Sequence, residues 1–186
     1  MTIIIVIAVL AVLVLWVVSV QNKLVKLDEF CKNALKQINV QQITRFDALK
    51  TMVQMAREYA KDVESKTIIE AVEARNINRS ANPSAGEINQ NEKMLADTMR
   101  SINVVVEKYP ELKSMDLYTN AQKNYTQNEE QVRMSRMVFN DTVTKFNTAC
   151  RMFPGNIVAG MLGFGAREYL EEDKSKTDIP DIFPAK

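Results

Sequence analysis

The sequence contains no histidine. That removes the commonest general base, the commonest metal ligand and every triad of the Ser-His type. Cysteine is nearly as scarce: Cys31 and Cys150 are the two present, and they stand far apart. Zinc sites draw on clustered Cys and His, so no metal site is expected. The thiols read as small, buried, unreactive side chains in a reducing compartment, with a disulfide as the alternative. Net charge is +1, so no strong field draws nucleic acid, and none is expected as a partner. Glycine and proline number five each, and neither occurs before Pro83.

What is present first is an apolar run. Ile3, Ile4, Ile5, Val6, Ile7, Ala8, Val9, Leu10, Ala11, Val12, Leu13, Val14, Leu15, Trp16, Val17, Val18, Ser19 and Val20 carry no charge. As a helix the run extends roughly 27 Å, close to the hydrocarbon thickness of a bilayer. A cleaved signal peptide would need a basic n-region and a small-x-small cleavage site. Only Met1 and Thr2 precede the run, and Val18-Ser19-Val20 makes a poor site. The expectation is an uncleaved single-pass anchor over residues 1–21, with the lipid bilayer as its partner. Lys23, Lys26, Lys32 and Lys36 follow the run and no Lys or Arg precedes it. The Lys-rich flank stays inside, which puts the N-terminus outside the cell membrane and the body in the cytoplasm.

The breakers divide the rest into three segments. The first reaches about Arg79, with Leu24, Leu27, Cys31, Ala34, Ile38, then Phe46, Leu49, Val53, Ala56, Ala60 and Val63 at steps of three and four. Those are the steps of a packed helix face. Between Ile38 and Phe46 the steps become four and four through Gln42, a stutter that locally unwinds a coiled coil or marks a bend. The second segment opens at Ser84, which forms a capping box with Glu87, carries Ile88, Leu95, Met99, Ile102, Val106 and Tyr109, and stops at Pro110. The third runs from about Ser114 to Met152. In it Tyr125, Val132, Phe139, Phe146 and Phe153 recur every seven residues beside a smaller row of Ala121, Asn128, Ser135, Thr142 and Ala149. Short connections imply antiparallel neighbours, so residues 22–173 are expected to form an all-α, up-and-down helical bundle. After Phe153 comes an uncharged stretch holding four of the five glycines, bracketed by Arg151 and Arg167. A short helix from Ala166 to about Asp173 and a flexible tail over residues 174–186 are expected to follow.

These residues resemble the LemA family from about Asn22 to Leu170. The strongest part is Arg151-Met-Phe-Pro-Gly-Asn-Ile-Val-Ala-Gly-Met-Leu-Gly-Phe, followed by Arg167-Glu168-Tyr169. Asn22-x-Leu24-Val25-x-Leu27, Lys32-Asn33-Ala34, Gln37-Ile38-Asn39-Val40-Gln41, Tyr59-Ala60, Tyr109-Pro110-Glu111-Leu112-Lys113 and Asn140-Asp141-x-Val143 also fit. Where the family usually has Pro-Asn this chain has Lys50-Thr51. The resemblance implies an N-terminal anchor with an outside N-terminus and a helical bundle, but no defined activity. One branch of the family takes part in magnetosome membrane formation, an associational pointer to membrane organisation.

Enzymatic chemistry finds no support in the sequence. Di-metal sites in bundles use Glu-x-x-His, which is impossible here. Glu129 and Glu130 are adjacent and diverge on a helix, and Glu171, Glu172 and Asp173 are likewise consecutive. The glycines lack the Lys-Ser/Thr of a phosphate loop. No catalytic residue, cofactor or metal is assigned. Asn33, Asp47, Glu129, Arg136, Asn140 and Asn147 are candidates for buried polar pairs that fix helix register, with an exposed ion-pair stripe as the alternative. Pro154, Gly155, Asn156, Ile157, Val158, Gly160, Met161, Leu162, Gly163 and Phe164 are candidates for packing or self-association. If the first segment is one continuous helix to Arg79, they fall at the end of the bundle far from the membrane. Ile157, Val158, Met161, Leu162 and Phe164 are then buried in protein; if that segment folds back, the same residues reach lipid. The function expected is a non-enzymatic, self-associating membrane scaffold forming a homo-oligomer. The alternative is an adaptor that docks a membrane protease, transporter or signalling partner.

Overall fold

The structure, a computed structural model, describes residues 1–170. Its first helix, α1, runs unbroken from Thr2 to Tyr59. With no proline or glycine to interrupt it, the apolar run continues directly into the amphipathic face of the body. The N-terminal part of α1 projects alone, its apolar side chains exposed as far as Val18. It is long and apolar enough to cross a membrane. From Leu24 onward α1 has a buried face.

The first segment is not one helix to Arg79. Ala60 leaves the helical region at φ −65° and ψ 112°, and a second helix, α2, spans Val63–Glu73. The break needs no glycine or proline because polar side chains take over its backbone. Asp62 caps α2 by accepting the Ser65 amide at 2.8 Å. The Tyr109 hydroxyl accepts the Lys61 amide at 2.9 Å and donates to Asp62 at 2.5 Å. These bonds hold the Asp62 carboxyl well below the usual carboxylate range, the Tyr109 hydroxyl contributing most. Val63, expected in the core stripe, is instead an exposed first residue of α2.

α2 and the link after it return along α1, so that Arg79 reaches Asp47 and Ser80 reaches Asn39. Helix α3, Ala85–Lys108, begins with the full Ser84–Glu87 capping box. It climbs parallel to α1, from Gln42 beside Ile88 to Lys61 beside Tyr109. A 3-10 turn, Pro110–Ser114, reverses the chain into α4, Asp116–Arg151, the main partner of α1 along its length. α4 therefore descends and delivers α5, Gly155–Leu162, to the root of the projecting helix. The order is up, down, up, down: the all-α bundle holds, with one more reversal than the breakers indicate.

Tyr125, Val132, Phe139 and Phe146 are buried as the seven-residue spacing requires, while Phe153 lies beyond the helix and is exposed. The apolar core forms an upper cluster around Phe46, Leu49, Leu95, Ile102 and Tyr118 and a lower one around Cys31, Ile38, Ile88, Phe139 and Phe146. A third, small cluster joins Leu24 to Val158 and Ala159, with Val20, Ala149, Cys150 and Phe164 against it. Both cysteines are free thiols in these lower clusters, and burial pushes both thiols up from the usual value. The expected helix from Ala166 is absent over residues 164–170, which form no helix. Its remainder and the tail over 174–186 lie outside the described residues.

Candidate functional site

Two polar assemblies and one apolar surface stand out, and the chain's local chemistry builds each. The first is a layer between the upper and lower cores. Gln42, the stutter residue, is fully buried, and Arg45 is 1 % exposed. Gln42 donates to the Ile88 carbonyl at 3.0 Å and to Glu92 at 2.9 Å. Arg45 donates to Glu92 at 2.7 Å and to the Tyr125 hydroxyl at 2.9 Å, with its guanidinium 4.7 Å from the Tyr125 ring centre. Burial opposes the Arg45 charge, but the Glu92 carboxylate and the Tyr125 hydroxyl together outweigh it and raise the pKa. Burial also pushes the Tyr125 hydroxyl up. Arg136 donates to Asn89 at 2.9 Å and lies 4.0 Å from Glu92. The layer thus ties α1, α3 and α4 at one height.

The second assembly is at the root of the body. Asn140 and Asn147 sit one heptad apart on α4, about 10.5 Å along its axis. Three extended residues cover about 10 Å. The match lets two asparagines bracket the extended segment. Asn147 accepts the Arg167 amide at 2.8 Å and donates to its carbonyl at 3.0 Å; Asn140 does the same to Leu170 at 2.9 and 3.1 Å. The clamp seats Leu170 in the lower core and aims Arg167 at Asp28, which it bonds through Nε at 2.8 Å and through Nη2. Burial pushes the Asp28 carboxyl up, but hydrogen bonds from Lys32 and Arg167 outweigh it and hold the group below its usual range.

Of the six polar candidates, Asn140 and Asn147 thus hold a strand-like segment of chain rather than a facing helix. Arg136 joins the central layer, and Glu129 is half-buried on α4. Asn33 and Asp47 are exposed; Asp47 pairs with Arg79, so neither forms a buried pair with α4. Sequence reading marked Gln42 only as a stutter and missed Arg45, Glu92 and Asp28. A glutamine in an apolar stripe was the available signal for the layer; nothing in the spacing marks Asp28 as the partner of a residue 139 positions away.

The third feature is α5. Gly155 permits the tight turn from α4, because a Cβ there would collide with the Ala149 carbonyl oxygen. Gly163, at φ +74°, ends the helix, with Phe164 N–H returning to Ala159 O at 3.0 Å. The inner face, Val158 and Ala159, is buried against Leu24, and the Phe164 ring meets Phe146 edge-on at 5.9 Å. The outer face is open: Met161 is 80 % exposed, Ile157 54 % and Leu162 44 %. This reverses the expected distal placement and the expected burial of those three residues. The fold-back at Ala60–Asp62 adds a pass, so α4 ends beside Leu24.

The profile of the LemA family matches residues 34–183. The chain belongs to the LemA family. Both clamp asparagines and Arg167 of this LemA-family chain lie inside the matched range, while Asp28 and the projecting helix precede it. Among curated proteins it is similar to magnetosome proteins MamQ 1 and MamQ 2 of Paramagnetospirillum magneticum and MamQ of Magnetospirillum gryphiswaldense. Each is 31 % identical over 80 residues, which is 43 % of this chain and 29 % of the relative. The match therefore spans less than a third of those proteins' length. Among the described residues no three His, Cys, Asp or Glu side chains gather as a metal site. An open groove beside the clamp is lined by Lys32, Lys36, Pro83, Ala85, Phe139 and Arg167. Within it Arg167 pairs with Asp28, and Lys32 with Asp28 and Glu29.

Proposed function

We propose that this LemA-family chain is a non-enzymatic, single-pass membrane scaffold that self-associates at the cytoplasmic face. The observation that carries the reading is the continuity of α1. One 58-residue helix contains the apolar run and the spine of the body, with no linker between them. A membrane crossing built this way fixes the body's position against the bilayer, which suits a structural element better than a tethered domain. The Lys residues after the run support an inward-facing body. The name "magnetosome protein" carried by the similar proteins agrees with membrane association. Self-association finds its support in an unpartnered stripe on α4, where Met134, Met137 and Val138 are exposed at i, i+3 and i+4.

Mass measurement of detergent-solubilised full-length protein tests the scaffold. A defined oligomer that Met137→Glu dissociates is expected; a monomer at all concentrations would favour the adaptor instead. Topology needs introduced thiols, because Cys31 is fully buried and silent whichever way the protein faces. A Lys66→Cys variant lacking the native cysteines, with the thiol exposed on α2 rather than on the α4 stripe, should resist an impermeant thiol reagent until cells are lysed. Labelling of intact cells would reverse the orientation.

A further inference from the structure

We propose that α5 is a membrane foot: its outer face, Ile157, Met161 and Leu162 with Phe153 beside it, lies in the headgroup–acyl boundary of the leaflet from which α1 emerges. The inference rests on the anchoring in the reading above, and not on self-association.

The argument begins with height. α5 packs by its inner face on Leu24 and approaches Val20, the last residue of the apolar run. Leu24 is about 6 Å beyond Val20 along the helix. The interfacial layer on each side of the hydrocarbon is itself about 5–7 Å deep. If the run spans the hydrocarbon, α5 is held inside that layer by protein contacts alone. Val17 and Val18, the crossing-helix residues just before Val20, are themselves apolar and exposed.

Charge agrees with this placement. From Met152 to Ala166 there is no Asp, Glu, Lys or Arg. Around that stretch, Lys23, Lys26 and Arg151 are exposed and cationic. Asp28, the first acidic residue after the apolar run, is held by Arg167 and Lys32. An apolar surface rimmed by Lys and Arg is what an anionic phospholipid interface accepts: side chains enter the acyl boundary and ammonium or guanidinium groups meet phosphates. A second copy of the chain offers no such match, because its own root carries the same positive rim. The two glycines make the foot a fixed feature, Gly155 setting its angle to α4 and Gly163 ending it before the clamp.

The test uses full-length protein, with Cys31 and Cys150 replaced by Ala, in phosphatidylcholine–phosphatidylglycerol vesicles containing a lipid with a nitroxide near the headgroup. Single cysteines at Met161, at Val18 and at Met134 carry an environment-sensitive fluorophore. Quenching at Met161 should fall within about two-fold of that at Val18, with Met134 unquenched. Ile157→Cys serves as a second probe should the Met161 variant misfold. Quenching at Val18 with none at Met161 or Ile157 overturns the foot and leaves the anchor standing. No quenching at Val18 overturns both. Pyrene excimers at Met161 without lipid quenching would assign the face to a second copy and overturn the proposal.

Discussion

Replacing Arg45 by Met removes the cation from the central layer while keeping a long, unbranched side chain of similar reach. Arg45 is 1 % exposed and its partner Glu92 has 19 % of its side chain exposed, so the pair is mostly out of water. Breaking a buried pair from one side costs about 3–5 kcal/mol, because the survivor keeps its charge without its counter-charge. Here the survivor is Glu92, which retains the Gln42 amide at 2.9 Å and Arg136 at 4.0 Å. That places Arg45→Met at the low end, about 3 kcal/mol. For a chain of this length the loss lowers the melting temperature by roughly 6–12 °C. Glu92→Gln strands the better buried of the two charges and should cost at least as much. The double variant Arg45→Met with Glu92→Gln should be milder than the sum of the singles, since no uncompensated charge remains. Thermal unfolding of the full-length protein in detergent, followed by circular dichroism, gives all three values. A double variant that loses the full sum, or singles that shift melting by less than about 2 °C, would refute the reading of this layer as a coupled, buried ion pair.

The clamp yields a second expectation. Asn147→Ala removes two hydrogen bonds to Arg167 and should cost about 2 kcal/mol, with the Arg167 amide exchanging hydrogen much faster while the Phe46 core stays protected. Gly155→Ala forces a Cβ into the Ala149 carbonyl, and a loss of about 2 kcal/mol in the same thermal assay is expected; an unchanged melting temperature would mean that the turn yields freely. Asp28 sets part of the acid limit. Its carboxyl is held below the ordinary value in the folded state, so the unfolded chain takes up the proton first and stability falls as pH drops. The contribution is complete above about pH 4 and disappears as pH falls through the folded value. Asp28→Asn should flatten that limb of a stability–pH profile, and a limb of unchanged steepness would exclude Asp28 as its source.

The helical periodicity of the sequence specified which face of each long helix is buried. The stripes Leu24-Cys31-Ile38 on α1, Ile88-Leu95-Ile102 on α3 and Val132-Phe139-Phe146 on α4 are buried because each is a local consequence of 3.6 residues per turn. The capping box at Ser84 was equally readable, since both of its bonds join residues three apart. Long-range polar partnerships were not. Asp28 meets Arg167 and Gln42 meets Glu92 only after the bundle has closed. Asn140 and Asn147 stood out as polar residues at heptad spacing, but spacing alone does not reveal that the partner is an extended backbone rather than a helix. The distinction lies in the rise per residue of the partner, about 3.4 Å against 1.5 Å.

The largest departure traces to three residues. Nothing from Tyr59 to Val63 is a glycine or a proline, and the apolar stripe continues smoothly through Ala60 to Val63. A helix continuing through that point would leave Asp62 without its cap partner and the Lys61 amide in the helical ladder. Breaking the helix lets Asp62 cap α2 and lets Tyr109, nearly fifty residues later, take the freed amides. The signal was therefore present as Asp62 three residues before Ser65, but its competitor was an uninterrupted periodic stripe, and only the distant tyrosine tips the balance. The consequence is topological. One extra pass reverses α3 and then α4, and the Gly-rich segment moves from the far end of the body to the root of the projecting helix. A Tyr109→Phe substitution removes the hydroxyl that accepts both amides and supports the Asp62 carboxylate. It should fray the start of α2 and raise exchange at the Lys61 and Asp62 amides, while amides around Phe139 keep their protection. Unchanged exchange at Lys61 would show that the break is set by packing of Ala60 and Ile69 in the upper core, and not by this polar junction.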